Sequence, residues 1–545
     1  MEKINKWFLL LLVFGIVLRL GGLGDALYQD EAVWGYVIRE FATYEGITKF
    51  IPHPPLAIWG FQFFNLGFVT NAYTMRMLPF IFGIINILLV YFIGRRYFSE
   101  KTGRWAGALM LFSFWHYVAS LQVDMEGSFL TFILLVTMWS YMEYDHTRQK
   151  KWLWVTAFLF GLSMLTKITA VILLPIIGLH LWYSHKKIVP AIKDFIPVFI
   201  VGMAFFFSWV GWAYLFNQPL FQHVFGHATS TVVVEGKSFF SVLPLVYFLL
   251  WGTALYTFLF GYSFYKRKKE YVVFWLWVLV PLVFYFFVGK DLVATYDRYL
   301  MIGIPALALV CGDVIAEFRL HKKELMLGGL FVFFGYFFSL LLNIYGTRVT
   351  HSIAYYGALV KSFQWNFLIP LSSSTGPVIK ISFLMIALSF IISFFLFLVI
   401  WKGKDQVRKS AFAVFLGLLF GFNLFMIVEV MEPLTQPDVS DTMFELYQYV
   451  GVNEMPKPYI SNMLATAFYG DVEIYENEDH TFNYVMGDEL VDQRVDLAIA
   501  EEGTILLLDY PGISKDSHIW KRVNECELVY TSVSKGFKSG YVFRC

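Results

Sequence analysis

Residues Trp152–Tyr183 read WLWVTAFLFGLSMLTKITAVILLPIIGLHLWY, an apolar run whose one formal charge, Lys167, falls near its middle. The reading of this stretch decides the fold. As one helix broken near Lys167 it crosses a bilayer once. As two helices, 152–165 and 168–183, it crosses and returns. Each half is short against the roughly 20 apolar residues a crossing requires. Every loop beyond it changes side between the two readings.

Loop charge separates them. Thirteen segments read as spans: 6–24, 74–94, 105–121, 125–144, 152–165, 168–183, 195–216, 241–265, 271–288, 298–316, 325–344, 378–401 and 410–429. With two helices at 152–183, seven short loops share a side with the N-terminus and together hold 23 Lys and Arg. The rest of the membrane region holds about ten, and cytoplasmic loops carry the excess of positive charge. A single long helix would put KRKKE (Lys266–Glu270) outside. The sequence therefore predicts two helices, a cytoplasmic N-terminus and an external C-terminal segment. The first run is kept as a helix, because Leu20–Leu27 shows no clear small-x-small cleavage site.

Composition agrees. The chain has 545 residues, 58% hydrophobic and 15% charged, against about 45–50% and about 25% in soluble domains. Its net charge of +1 conceals 34 Lys+Arg against 21 Asp+Glu up to Val430, and 8 against 20 after it. The expected fold class is an α-helical polytopic membrane domain, 1–430, followed by a small extracytoplasmic α/β domain, 431–545. Long outer loops fall at 24–73, 217–240 and 345–378. In the C-terminal piece, Ser440–Val450 reads as a helix. Tyr459–Ile460, Val472–Tyr475, Thr504–Tyr510, Glu527–Val533 and Tyr541–Phe543 read as strands. Cys526 and Cys545 either pair, as an oxidising exterior permits, or stay free; Cys311 reads as core.

Polar residues collect near one membrane face. Asp30 and Glu31 follow the first helix; the alternative for Asp30 is a cap on a helix running Glu31–Phe41. His53-Pro54-Pro55-Leu56 follows in the same loop. Arg19 and Arg76 lie near outer helix ends, where snorkelling is the plainer reading. Asp124 and Glu126 start the fourth helix, Lys167 sits at the short outer turn, and Asp297-Arg298-Tyr299 opens the tenth. Intramembrane ionisable groups are functional candidates by default. Arg and Lys suit a phosphate and the charge developing on a leaving group. A carboxylate suits activation of a hydroxyl. Together they describe group transfer from a lipid phosphate, and no GxxxxGK[ST] nucleotide loop is present.

Six motifs in order carry a resemblance: Tyr28–Ala32, HPPL at 53–56, RMLP at 76–79, Asp124 in QVDMEGSFLTF, GLSMLTK ending at Lys167, and RYL from Arg298. They resemble the GT-C membrane glycosyltransferases of the protein O-mannosyltransferase and aminoarabinose-transferase-like group, over about the first 310 residues. The resemblance implies a polyprenyl-phosphate-sugar donor and an outward-facing site. Asp30 matches the family's catalytic acid, with Glu31 supporting it or contacting the acceptor and Asp124 either catalytic or orienting a cation. His53, Arg76, Lys167, Arg298 and Tyr299 are implied in donor binding. His53 stands where aminoarabinose-type enzymes have Lys, which weighs against an aminoarabinose donor. The β-trefoil-type insert of the eukaryotic mannosyltransferases has no counterpart, which weighs against a protein acceptor.

No obligatory metal and no cofactor beyond the lipid-linked sugar are expected. Expected partners are that lipid, the bilayer and an unidentified glycan, lipid or protein acceptor, with no nucleic acid. The expected location is the plasma membrane of a bacterium or archaeon. A transporter or flippase is the alternative, disfavoured because transporter sites lie near the midplane in repeated halves and no internal repeat is found. A non-catalytic scaffold explains the external domain but leaves the acids and cations unexplained.

Overall fold

A computed structural model describes residues 5–27, 31–32, 34–35, 38, 53–65, 71–218, 221–222, 254–288, 300–348, 353–371, 379–456, 459–461, 499–500, 502–508 and 518–545. The chain is a helical, multi-pass membrane protein with a small C-terminal sheet domain. All thirteen segments read as spans meet helix in the described residues. Six of these helices are long and apolar enough to cross a bilayer on length and composition: Ala72–Tyr97, Ile168–His185, Ile188–Phe216, Lys322–Ile344, Phe383–Lys402 and Asp405–Met431.

The run at 152–183 is two helices. Lys150–Thr166 ends where Lys167 turns extended (φ −156°, ψ 139°). A 3-10 turn, Ile168–Ile172, leads into Leu173–His185. Both distal ends meet one acid: Asp194 pairs with Lys150 and, at 2.8 Å, with His185 Nε2. The start of one helix and the end of the next thus share a face, so the chain crosses and returns.

That face carries further pairs between loop cations and buried acids. Arg96 Nε binds Glu143 at 3.0 Å. Asp313 accepts from Lys268 Nζ (2.6 Å), Tyr271 OH (2.7 Å) and Thr102 Oγ1 (2.7 Å). Burial opposes the charge on Lys268, yet Asp313 and Glu317 hold its ammonium above its ordinary range. Part of the positive charge of the basic loops therefore ties helix ends together. Helices approach closely through small residues, as membrane packing favours. A Cβ on Gly312 would lie 2.7 Å from the Ala106 backbone nitrogen.

Chain contacts define two compact units. The first comprises Met1–Leu20, Phe41–Tyr336 and Ser389–Ile427; the second comprises Gly21–Glu40, Phe337–Leu388 and Val428–Cys545. Within the second, strands β1 (Thr347–Arg348), β2 (Phe367–Leu371) and β3 (Ile379–Ser382) form one sheet. Strands β4 (Tyr459–Ser461), β5 (Thr504–Leu508), β6 (Glu527–Ser534) and β7 (Phe537–Arg544) form another, in the order β4-β5-β7-β6. Strand β4 runs parallel to β5, and β7 is antiparallel to both β5 and β6.

Alternation along β5 and β7 sends residues to two cores, as the period of a strand dictates. Leu506 and Val542 pack with Leu446 and Val450 of the helix Val439–Val452, which Asp438 caps. Ile505, Leu507, Tyr541 and Phe543 pack with Val523 and Trp520. The expected strand Val472–Tyr475 lies outside the described residues. Ser440 Oγ accepts the Ala26 amide at 2.7 Å, joining the start of the first long loop to this unit.

Cys526 and Cys545 are bonded, 19 residues apart. Closing a loop of that size removes unfolded-state entropy worth about 3 kcal/mol. Cys526→Ser is therefore expected to destabilise the sheet domain by about that amount. Thermal unfolding with and without reductant measures it, and an identical transition in both conditions would contradict the assignment.

Candidate active site

The site grows from a break in the helices. Ala72–Tyr97 starts at a capping box, with Asn71 accepting from the Thr74 amide and Thr74 Oγ1 accepting from the Asn71 amide, each at 3.0 Å. Arg76 lies in its second turn and is buried. The expected third span is not continuous. Glu100–Phe112 stops at Ser113, whose extended backbone (φ −67°, ψ 119°) opens the short helix Phe114–Ala119. The fourth helix begins at Ser128, later than its apolar pattern suggests, because Gly127 (φ −70°, ψ −143°) does not continue a helix. Asp124 and Glu126 therefore sit in buried irregular chain before that helix, rather than in its first turn.

Non-helical backbone at membrane depth persists only where other groups satisfy its polar atoms. An unsatisfied buried carbonyl costs roughly 1–3 kcal/mol. Here side chains from four other helices supply the partners. Asn423 Oδ1 accepts the Phe114 amide at 3.2 Å. Tyr256 OH donates to the Leu109 carbonyl at 3.0 Å. Arg19 Nη2 donates to the Leu111 carbonyl at 3.2 Å, and Arg76 Nε donates to the Leu121 carbonyl at 2.8 Å. Gly83 lets Ala72–Tyr97 lie against the end of the segment, since a Cβ there would come within 2.5 Å of Ser120 Oγ. Both arginines are thus buried in the protein, which removes the snorkelling reading.

The carboxylates and cations meet just beyond. Asp124 Oδ1 accepts the Glu126 amide at 3.2 Å, a local turn that fixes the loop. Glu126 Oε1 lies 3.2 Å from Lys167 Nζ, with both side chains buried. Lys167 Nζ also lies 3.5 Å from His53 Nε2. Three of the anticipated residues, His53, Asp124 and Lys167, thus fall in one chain of contacts, and Arg76 holds the start of the same loop through the Leu121 carbonyl. Glu31 is buried within the second unit, where the described residues from Glu31 to Ile38 are helical as anticipated. Asp30, Arg298 and Tyr299 lie outside the described residues. Among the described residues no group of three or more His, Cys, Asp or Glu is placed to hold a metal.

Glu126 carries no role in the sequence pattern, and Asn423 and Tyr256 do not stand out in it. Their common signal is a polar group inside an apolar run. A buried lysine beside an imidazole can hold an oxyanion, and Glu126 lies within ion-pair distance of the same ammonium.

Residues 52–212 match the family model described as dolichyl-phosphate-mannose-protein mannosyltransferase. That range contains HPPL, Arg76, Asp124, Glu126 and Lys167. The aminoarabinose-transferase-like side of the resemblance is matched by shape. ArnT from Cupriavidus metallidurans in its apo state superposes with a TM-score of 0.61 at 16% identity, over 98% of this chain and 97% of that one. The same protein bound to undecaprenyl phosphate gives 0.63 at 15% identity, over 99% and 98%. The fold is that of a GT-C glycosyltransferase. An uncharacterized protein of Aquifex aeolicus (strain VF5) is 23% identical over 341 residues. The aligned region covers 58% of this chain and 66% of that relative, a little less than two thirds of it.

Proposed function

We propose that this GT-C chain is a glycosyltransferase that moves a sugar from a polyprenyl-phosphate donor to an acceptor at the outer membrane face, with inversion. The observation that carries the reading is the buried Lys167, set between His53 and Glu126 on the loop that Arg76 braces. Lys167 and His53 receive the donor phosphate, with Arg298 and Tyr299 assigned to the same donor. Asp30 takes the proton of the acceptor hydroxyl as its oxygen bonds to the anomeric carbon, and Glu31 supports Asp30. The bond from that carbon to the phosphate oxygen breaks, and the polyprenyl phosphate leaves with its electron pair. The cations stabilise the departing phosphate, so a strong general acid is not needed. Asp124 orients the loop that carries Glu126.

The site then faces outward from the plasma membrane of a bacterium or archaeon, and the paired basic face lies in the cytoplasm. Undecaprenyl phosphate bound to ArnT supports this class of carrier. The test uses the full-length chain in lipid nanodiscs with a radiolabelled hexose on undecaprenyl or dolichyl phosphate, and membrane lipid extract as acceptor. Release of free polyprenyl phosphate with an inverted product linkage is expected. EDTA is expected to leave the rate within about twofold, because side-chain cations suffice to neutralise the leaving phosphate. Intact donor in every combination overturns the reading, and full loss in EDTA overturns the metal-free scheme.

A further inference from the structure

Arg19 is a fully buried guanidinium at the end of the first helix, and none of the steps above uses it. Its Nη1 donates to the Gly15 carbonyl of its own helix at 3.0 Å. Its Nη2 donates to the Leu111 carbonyl and, at 3.4 Å, to His116 Nδ1. The Tyr117 ring lies 5.3 Å from its Cζ, and Tyr117 OH donates to the Leu18 carbonyl at 3.1 Å. Among the described residues no carboxylate pairs with it.

The contacts are specific to the break at Ser113. In a continuous helix the Leu111 carbonyl would accept from the amide four residues on. The turn at Ser113 frees it, and Arg19 replaces the missing amide. His116 Nδ1 lies within reach of the same guanidinium nitrogen, at 3.4 Å. Arg19 thereby ties the carbonyl before the break to the side chain of the short helix after it. Arg76 performs the same service at the far end, on Leu121. Two buried arginines thus bracket the chain that delivers Asp124 and Glu126.

We propose that Arg19 is a positioning residue for the Asp124–Glu126 loop, acting through the Leu111 carbonyl and His116 and never touching donor or acceptor. Its effect on catalysis rests on the glycosyl-transfer reading; its effect on the loop does not.

The test compares full-length wild type, Arg19→Met and Arg19→Lys in nanodiscs. Hydrogen–deuterium exchange reads the brace without any substrate. Exchange over 113–127 is expected to quicken in the Met variant, to be intermediate in the Lys variant, which keeps a cationic donor without the guanidinium fork, and to stay unchanged in the middle of Ser128–Thr147. Kinetics read the consequence. Arg19→Met is expected to lower kcat about 100-fold, the scale of a misplaced reacting group, with donor KM unchanged. Arg19→Lys is expected to recover part of that loss. If the Met variant fails to accumulate, the Lys variant carries the comparison alone. Unaltered exchange over 113–127 overturns the proposal, and so does a loss expressed mainly in donor KM, which would make Arg19 a donor contact. Quickened exchange in a protein whose wild type transfers no sugar upholds the brace and removes the glycosyl-transfer reading.

Discussion

Asp30→Asn is expected to abolish sugar transfer while leaving donor binding intact. The amide keeps the size and part of the hydrogen bonding of the carboxylate but cannot take a proton from the acceptor hydroxyl. A positioned general base contributes about 100- to 10,000-fold, and turnover should fall within that range. The donor is held by its phosphate, which Asp30 does not contact in this scheme, so the dissociation constant for the lipid-linked sugar should not change. Single-turnover release of polyprenyl phosphate measures the first quantity, and equilibrium binding of labelled donor measures the second. Turnover within a few-fold of wild type would sink the assignment of Asp30 as base.

Lys167→Met should damage both stability and donor use, and a second substitution separates the two. Removing the ammonium leaves Glu126 as a buried carboxylate without its cation. Breaking such a pair on one side costs about 3–5 kcal/mol. Loss of a cation at the departing phosphate should lower donor turnover by a further factor of about 100 or more. The double variant Lys167→Met with Glu126→Gln removes both charges, and apolar or neutral replacement of a whole buried pair is often nearly free. The double variant is therefore expected to regain most of the lost thermal stability and none of the lost transfer. Recovery of transfer would show that Lys167 serves the fold alone. Full stability in the single variant would show that the Glu126 pair bears little weight.

The polar residues make clear which parts of the site were legible. Lys167 stood out because the one formal charge in a mainly apolar run of 32 residues has few innocent explanations, and the structure places it at the turn where the charge rule required one. His53 and Asp124 stood out through the motifs HPPL and QVDMEGSFLTF that carry the resemblance. Glu126 received no role because its partner is 41 residues away and the pairing leaves no local pattern. From position alone Arg19 and Arg76 read as snorkelling cations because each lies near a helix end, and only the resemblance implied a donor contact for Arg76. Whether a long side chain reaches for water or for a buried carbonyl depends on what packs beside it. The breaks at Ser113 and Gly127 were invisible for a related reason. Hydropathy averages over a window, and 105–121 stays apolar whether its helix is whole or bent.

By itself the sequence determined the membrane class, the two-helix reading of 152–183, the shared side of the basic loops and the presence of a small C-terminal sheet domain. Each follows from local composition, because burying apolar surface and excluding charge from lipid act on every residue where it stands. Only the tertiary structure decided which carbonyls the broken chain frees and which side chains satisfy them. It also decided that Lys167 meets Glu126 and His53, and that Cys526 bonds Cys545. Those pairings are set by the requirement that every buried polar group find a partner, and in this fold the partners come from helices far apart in the chain.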